Sequence, residues 1–272
     1  MPTPALPITP ALAERLSGSP LVLLLDLDGT LSPIAPRPED AVVPPATRRV
    51  LEHLARARDV QVVAISGRSA QDARRLLSLD DVWIIGNHGI EVVRPTGAAL
   101  VRPDVARFSE KIAAASARIA RLARTHAGVI AEDKRWTLSV HYRLADPSIV
   151  PELRDLVDAV AADLGLRVTH GKEVLELRPP IDIDKGTAAV EVAGDLGALR
   201  PEASLLCAGD DRTDEDMFRS LRRAAPRSVT VCVVEGTISR ETAAEFSVPD
   251  TSAMRALLEA ILALRHSGAP VR

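Results

Sequence analysis

The chain of 272 residues carries a net charge of -3 at pH 7, and 46% of its residues are apolar. That balance describes a globular chain with a sizeable core, long enough for about two domains, and it lacks the electrostatic footprint of a nucleic-acid or membrane-surface binder. Aromatic residues make up only 2%, so the core rests on Leu, Val, Ile and Ala, and a ligand here is read by polar groups more than by stacked rings.

The opening MPTPALPITPALAERL holds four prolines and no basic region followed by an apolar run, so it is not read as a secretory signal. No run of 18 apolar residues occurs, which argues against a membrane helix. A cytoplasmic protein without nucleic-acid or membrane partners is expected, acting as a monomer. Cys207 and Cys232 fall in apolar, strand-like segments and read as small buried thiols in a reducing compartment.

The stretch LVLLLDLDGTLSP, from Leu21 to Pro33, organises the rest. Five apolar residues without alternation suit a strand buried on both faces of a parallel sheet, and they run into Asp26 and Asp28, then Gly29 and Thr30. An inert Asp-Gly turn is one reading. A calcium loop is excluded by spacing, because its required glycine and glutamate would fall on Leu31 and Arg37. Two carboxylates this close repel unless something cationic lies between them.

Five prolines between Pro33 and Pro45 make the next segment irregular. Thr47 to Arg58 has helical spacing, and Val60 to Ile65 is a second strand ending in Ser66-Gly67-Arg68-Ser69. Ala70 to Leu79 and Val82 to Ile85 repeat the helix and strand, ending in GNHG at Gly86 to Gly89. Strand, helix, strand units of this kind are right-handed crossovers of a parallel sheet, and their ligands sit beyond the strands' carboxyl ends. Ile90 to Val93 is a short extended piece, and RPTGAALVRPD marks a boundary.

From Asp104 to Pro179 the pattern changes. A helix over Phe108 to His126 precedes strands at Gly128 to Asp133 and Trp136 to Arg143. A helix over Pro151 to Leu164 then precedes strands Arg167 to Thr169 and Glu173 to Leu177, turning at His170-Gly171-Lys172. Helix, strand, strand, repeated once, predicts an antiparallel sheet covered by helices on one face. The first pattern resumes with a helix over Lys185 to Ala193 and a strand over Ser204 to Ala208 ending in GDDRTDED. A strand over Ser228 to Val234 ends in Glu235-Gly236. A short strand over Phe246 to Val248 and a closing helix over Thr251 to Arg265 follow, and the terminal SGAPVR is expected to be mobile. The fold class predicted is α/β: a Rossmann-like parallel-sheet core with helices on both faces, formed by residues 1–103 and 180–272, plus an inserted α+β cap at 104–179.

Asp26, Asp28, Ser66, Lys185 and the cluster Asp210, Asp211 and Asp214 all lie at strand ends or helix starts of the core. If those ends converge, so much acid calls for a divalent cation, and oxygen ligands open to a phosphate favour magnesium. A carboxylate beside the metal, with its charge offset by Lys185, is a candidate nucleophile toward phosphorus. Duller roles stand beside these. Asp211 and Asp214 suit helix capping, Arg68 either binds substrate or caps carbonyls, and His88 reads as a structural loop residue. Glu132 and Lys134 also suit a solvated pair, and Glu176 an outward-facing position.

DLDGT, a strand-end serine, a lysine opening a helix and GDDRTD resemble, in order, the four-part signature of the haloacid dehalogenase superfamily. Within it, ISGRS, GNHGIE, AEDK, VLELRP and GDDRTDED are similar to the trehalose-6-phosphate phosphatases, covering about Leu21 to Asp250. The resemblance implies magnesium-dependent hydrolysis of a small sugar phosphate, trehalose 6-phosphate, through an aspartyl phosphate. It implies Asp26 as nucleophile and Asp28 as acid and base. It also implies a metal held by Asp26, the Asp28 carbonyl and Asp210 with Asp214 near or through water, and phosphoryl grips in Ser66 and Lys185. Arg68, Glu132, Lys134 and Glu176 are the substrate-binding candidates, the last three reading the sugar from a cap that closes. Another sugar phosphate, or a silent phosphosugar-binding role, is the alternative.

Overall fold

The computed structural model describes residues 6–95, 97, 99–234 and 241–267. The expected loop at Glu235-Gly236 and the tail beyond Ser267 lie outside them. The chain divides into two units, Met1–Ala99 with Ile183–Arg272, and Leu100–Asp182.

The first unit is built on a sheet in which the strand with the most apolar sequence is central. Strand β1 (Leu21–Asp26) is completely buried and lies parallel between β2 (Val60–Ile65) and β10 (Ser204–Gly209). Outward on one side come β3 (Trp83–Gly86), antiparallel β4 (Glu91–Val93) and β5 (Ala99–Val101), in which the chain leaves this unit after Ala99. On the other come β11 (Val229–Val233) and β12 (Phe246–Val248). The order in the sheet reverses direction at β1, the place where open α/β sheets leave a crevice for ligands.

Strand periodicity decides which side chains meet which helices. Leu21, Leu23 and Leu25 pack with Leu12 and Leu16 of α1 (Pro10–Leu16), Leu51 and Leu54 of α2 (Pro45–Arg56), Ala73 and Leu77 of α3 (Ala70–Leu77), and Met254 and Leu257 of α8 (Thr251–Ser267). The alternate residues Val22, Leu24 and Asp26 face the other way. On that side, α6 (Lys185–Asp195) presses on α7 (Arg212–Ala224), and Gly186 makes the approach feasible, because a Cβ there would meet Asp216 O and Ser220 Oγ.

The second unit carries the antiparallel sheet β6 (Ile130–Asp133), β7 (Leu138–His141), β9 (Val174–Arg178) and β8 (Arg167–Gly171), in that spatial order. Leu138, Val140, Leu175 and Leu177 are buried, as are Ile112 and Ile119 of α4 (Ser109–Thr125) and Leu153 and Val157 of α5 (Val150–Leu164). The opposite face carries Glu132, Ser139, His141, Thr169 and Glu176, with Ile130 and Val174 at one end. The fold is therefore an α/β core of mostly parallel strands with helices on both faces, plus an inserted α+β unit.

Three details depart from the sequence reading. Helix α1 was not expected; Thr9 caps it and Pro10 occupies its first turn, where a missing N–H costs nothing. Strand β5 is a further edge strand. The β8–β9 hairpin turns at Lys172-Glu173 rather than at His170-Gly171-Lys172, with Glu173 in the left-handed region at φ 61.

Candidate active site

The parallel register brings three loops of the first unit together. Asp26 pairs with Ile65, which puts Ser66 beside the end of β1, while Leu25 pairs with Ala208, two residues before Asp210. Gly29 sits at φ +88 between these loops, and a Cβ there would run into the Asp210 carboxylate. Only glycine tolerates both that dihedral and that approach.

Lys185 opens α6 behind a capping box in which Asp184 and Thr187 satisfy each other's neighbouring amides. Its ammonium is 3% exposed and donates to Asp26 Oδ1 at 2.7 Å and Asp214 Oδ1 at 2.8 Å. Asp214 Oδ2 accepts from the amides of Asp210 and Asp211, at 2.9 and 3.0 Å. Asp211 in turn caps α7, accepting from the amides of Thr213 and Asp214. Asp211 and Asp214 thus both cap, and Asp214 also shapes the loop that carries Asp210.

Asp26, Asp210 and Asp214 each offer an oxygen within 4.8 Å of the others. The second oxygen of Asp26 is buried without a hydrogen-bond partner, and so is the Thr30 hydroxyl. A buried carboxylate with one unsatisfied oxygen and two further carboxylates close by suits a small hard cation. The electrostatics agree. Burial pushes the Asp26 carboxyl well above its usual range, Lys185 pulls it down, and Asp214, Asp210 and Asp211 push it up again. Burial likewise pushes Asp214 to about 6 despite Lys185. Burial also works against the Lys185 charge, but Asp214 and Asp26 outweigh it and hold the ammonium above its usual range.

Asp28 lies two residues on and points elsewhere. Arg68 grips it with two parallel bonds, Nε to Oδ2 at 2.7 Å and Nη2 to Oδ1 at 2.8 Å, and a third nitrogen holds Asp72 at 2.5 Å. Sequence reading offered substrate or carbonyls as partners for Arg68; its principal partners here are carboxylates, with Pro38 O as a further acceptor. Ser66 Oγ accepts from the Arg68 amide at 3.1 Å. Asp72 and Thr30 were not singled out, although Arg68 and Asp72 stand at the i, i+4 spacing of a helical ion pair.

In the second unit, cross-strand register aligns Glu132, Ser139, Glu176 and Thr169 in one row on the polar face. Glu176 accepts from Lys134 Nζ and Ser139 Oγ, both at 3.2 Å, and Glu132 pairs with His141 Nε2 at 2.8 Å. The side chains of Lys134 and Glu176 are 8% and 7% exposed. Ser139 and Glu176 in this row are buried while Glu132 is 26% exposed, and burying the Lys134 and Glu176 charges costs free energy unless they are paired.

The trehalose-phosphatase family model matches residues 24–252. An uncharacterized glycosyl hydrolase of Mycobacterium tuberculosis is 38% identical over 221 residues, covering 80% of this chain and 16% of that protein. A trehalose-phosphate phosphatase of Mycobacterium avium is 35% identical over 242 residues, covering 87% of this chain and 60% of that protein. The chain thus spans less than two thirds of the length of both relatives. Among solved structures, a trehalose-6-phosphate phosphatase related protein superposes with a TM-score of 0.78 at 28% identity, covering 90% of this chain and 99% of that one.

Proposed function

Because the chain belongs to the trehalose-phosphatase family, we propose that it hydrolyses trehalose 6-phosphate to trehalose and phosphate, with magnesium, through an aspartyl phosphate on Asp26. The observation that carries this reading is the state of Asp26: buried, one oxygen held by Lys185 and the other without a partner.

Attack by an Asp26 oxygen forms a bond to phosphorus as the bond from phosphorus to the sugar oxygen breaks. Asp28 gives that oxygen its proton. Both Asp28 oxygens accept from Arg68, so this duty requires one of them to leave the guanidinium. The resulting Asp28 carboxylate then takes a proton from water as the water oxygen displaces Asp26 from phosphorus, which restores both residues. Ser66 and Lys185 hold the phosphoryl oxygens, so positioning and charge neutralisation carry the rate. Magnesium, held by Asp26, Asp210, the Asp28 carbonyl and Asp214 directly or through water, would offset negative charge developing on the phosphoryl group.

Glu132, Lys134 and Glu176 are proposed to read the sugar, since hydroxyls both donate and accept, and a site built to bond them rejects substrates lacking them. Glu132→Ala and Glu176→Ala are each expected to raise KM for trehalose 6-phosphate by about tenfold or more, while hydrolysis of p-nitrophenyl phosphate stays within about twofold. Equal losses on both substrates would remove the sugar-reading role.

The acid cluster also predicts how magnesium and pH interact. Asp214 and Asp26 titrate higher folded than unfolded, so between about pH 4 and 6 the folded state binds the extra protons. Metal-free stability from these groups therefore falls as pH rises through that window. Lys185, raised in the folded state, stabilises at every pH below its unfolded value and does not alter this slope. Protons compete with the cation for the carboxylates. The rise in Tm on adding magnesium is expected to be larger at pH 7.5 than at pH 5; a rise independent of pH would contradict a metal bound to these carboxylates.

A further inference from the structure

The GNHGIE stretch has no part in the chemistry above, yet it is buried: Asn87 is 0% exposed, and His88 and Glu91 are each 9% exposed. Asn87 and His88 are both left-handed, at φ 48 and 55, a conformation that non-glycine residues keep only where surrounding bonds impose it. Those bonds lead to the serine loop. The amides of Asn87 and His88 donate to Arg68 O at 2.7 Å and Ser66 O at 3.0 Å, and the Ser66 amide donates to Ile85 O at 2.9 Å. The His88 ring lies against Gly67, where an added Cβ would meet Nε2 and Cε1. Glu91 Oε2 completes the tie, accepting from the Ala70 amide at 2.8 Å and Asn87 Nδ2 at 2.7 Å. One carboxylate oxygen thus joins the turn to the first residue of α3.

The other side of the turn meets α6. Gly89, at φ +111, lies so close that a Cβ would come within 2.7 Å of Ala188 Cβ and 2.9 Å of Ile183 Cγ1. Lys185 lies between those two residues in the chain. One strained turn therefore touches both the loop that begins at Ser66 and the helix start that carries Lys185.

We propose that Asn87–Glu91 is a spacer that sets Ser66 and Lys185 at the separation a phosphoryl group requires, with Glu91 its positioning residue. The inference rests on the roles given to Ser66 and Lys185 above, and it concerns the phosphoryl site rather than the sugar. A loop held to well under an ångström binds phosphate better than one that samples several positions, because less order has to be imposed on binding.

The test is inorganic phosphate affinity, measured by calorimetry with magnesium present, beside kcat and KM for p-nitrophenyl phosphate. Glu91→Ala is expected to weaken phosphate binding about tenfold and to lower kcat/KM to match. Glu91→Gln keeps an acceptor oxygen for Ala70 and Asn87 and is expected to stay within about threefold of wild type. Should Glu91→Ala not fold, Asn87→Ala removes one of the two donors and is expected to weaken phosphate binding about threefold. Unchanged phosphate affinity in a folded Glu91→Ala or Asn87→Ala protein would overturn the assignment, as would equal losses in the Gln and Ala variants of Glu91. The trehalose 6-phosphate reading stands or falls on wild-type hydrolysis, whereas this inference is read relative to wild-type phosphate binding, so the two fail separately.

Discussion

Asp26→Asn is expected to reduce phosphate release by a factor of about 10⁴ or more, the scale on which removal of a nucleophile acts, while leaving the protein folded and its Tm unchanged or raised. The asymmetry follows from what surrounds the residue. Asp26 is 4% exposed, and burial together with Asp214, Asp210 and Asp211 opposes its charge. An amide of nearly the same shape removes that charge, keeps an oxygen for the Lys185 ammonium to bond, and leaves Lys185 its second partner in Asp214. Substitution thus takes away the proposed attacking group and relieves electrostatic cost together. Steady-state phosphate release and a thermal melt on the same preparation check both halves. Retained turnover would remove the nucleophile assignment, and a large fall in Tm would show that the Asp26 charge supports the fold.

Lys185→Met is expected to do the reverse, destabilising the protein by about 3–5 kcal/mol, the usual cost of breaking a buried ion pair from one side. Lys185 faces Asp26 and Asp214, which are 5% and 0% exposed at their side chains. Without the ammonium, the buried Asp26 and Asp214 lose the cation they share. Denaturant midpoints with and without magnesium check this, and magnesium is expected to recover part of the loss. Phosphate release should also collapse, since the proposed phosphoryl grip is gone. A folded Lys185→Met protein of wild-type stability would contradict the electrostatic account of the site.

The two substitutions also mark how far the sequence carries. The apolar run of β1 and the two acids after it were legible because five unbroken hydrophobic residues followed by two carboxylates suit few structures besides a buried strand ending in a site. The parallel sheet was legible from alternating helix and strand signals, whereas the order of its strands around β1 was not. Nor was what pairs with what. Lys185 lies 159 residues from Asp26, and local spacing contains nothing about that distance. Asp214 offered two readings, capping and metal ligation, and the structure finds it capping the Asp210 loop through one oxygen while the other meets Lys185. Arg68 carried a motif position but no indication that its guanidinium would turn toward Asp28.

The smaller misses have local causes. Prolines around Pro7 and Pro10 masked α1, although Thr9 before Pro10 is a sound start signal. Glycine at Gly171 drew the hairpin turn too early, when Glu173 supplies the left-handed residue. Strand β5 is short and mostly exposed, so it has no hydrophobic alternation to detect. Glu91 lay within a quoted motif, but an isolated glutamate before a valine pair gives no sign that its carboxylate will tie a turn to a helix start.

The proposed magnesium-dependent selectivity for trehalose 6-phosphate is checked by kcat/KM across trehalose 6-phosphate, sucrose 6-phosphate and glucose 6-phosphate, with magnesium and after its removal by chelation. The highest value is expected for trehalose 6-phosphate, and all three activities are expected to be lost on chelation and restored by magnesium. A higher value for either of the other sugar phosphates, or turnover that survives chelation, would contradict the proposal.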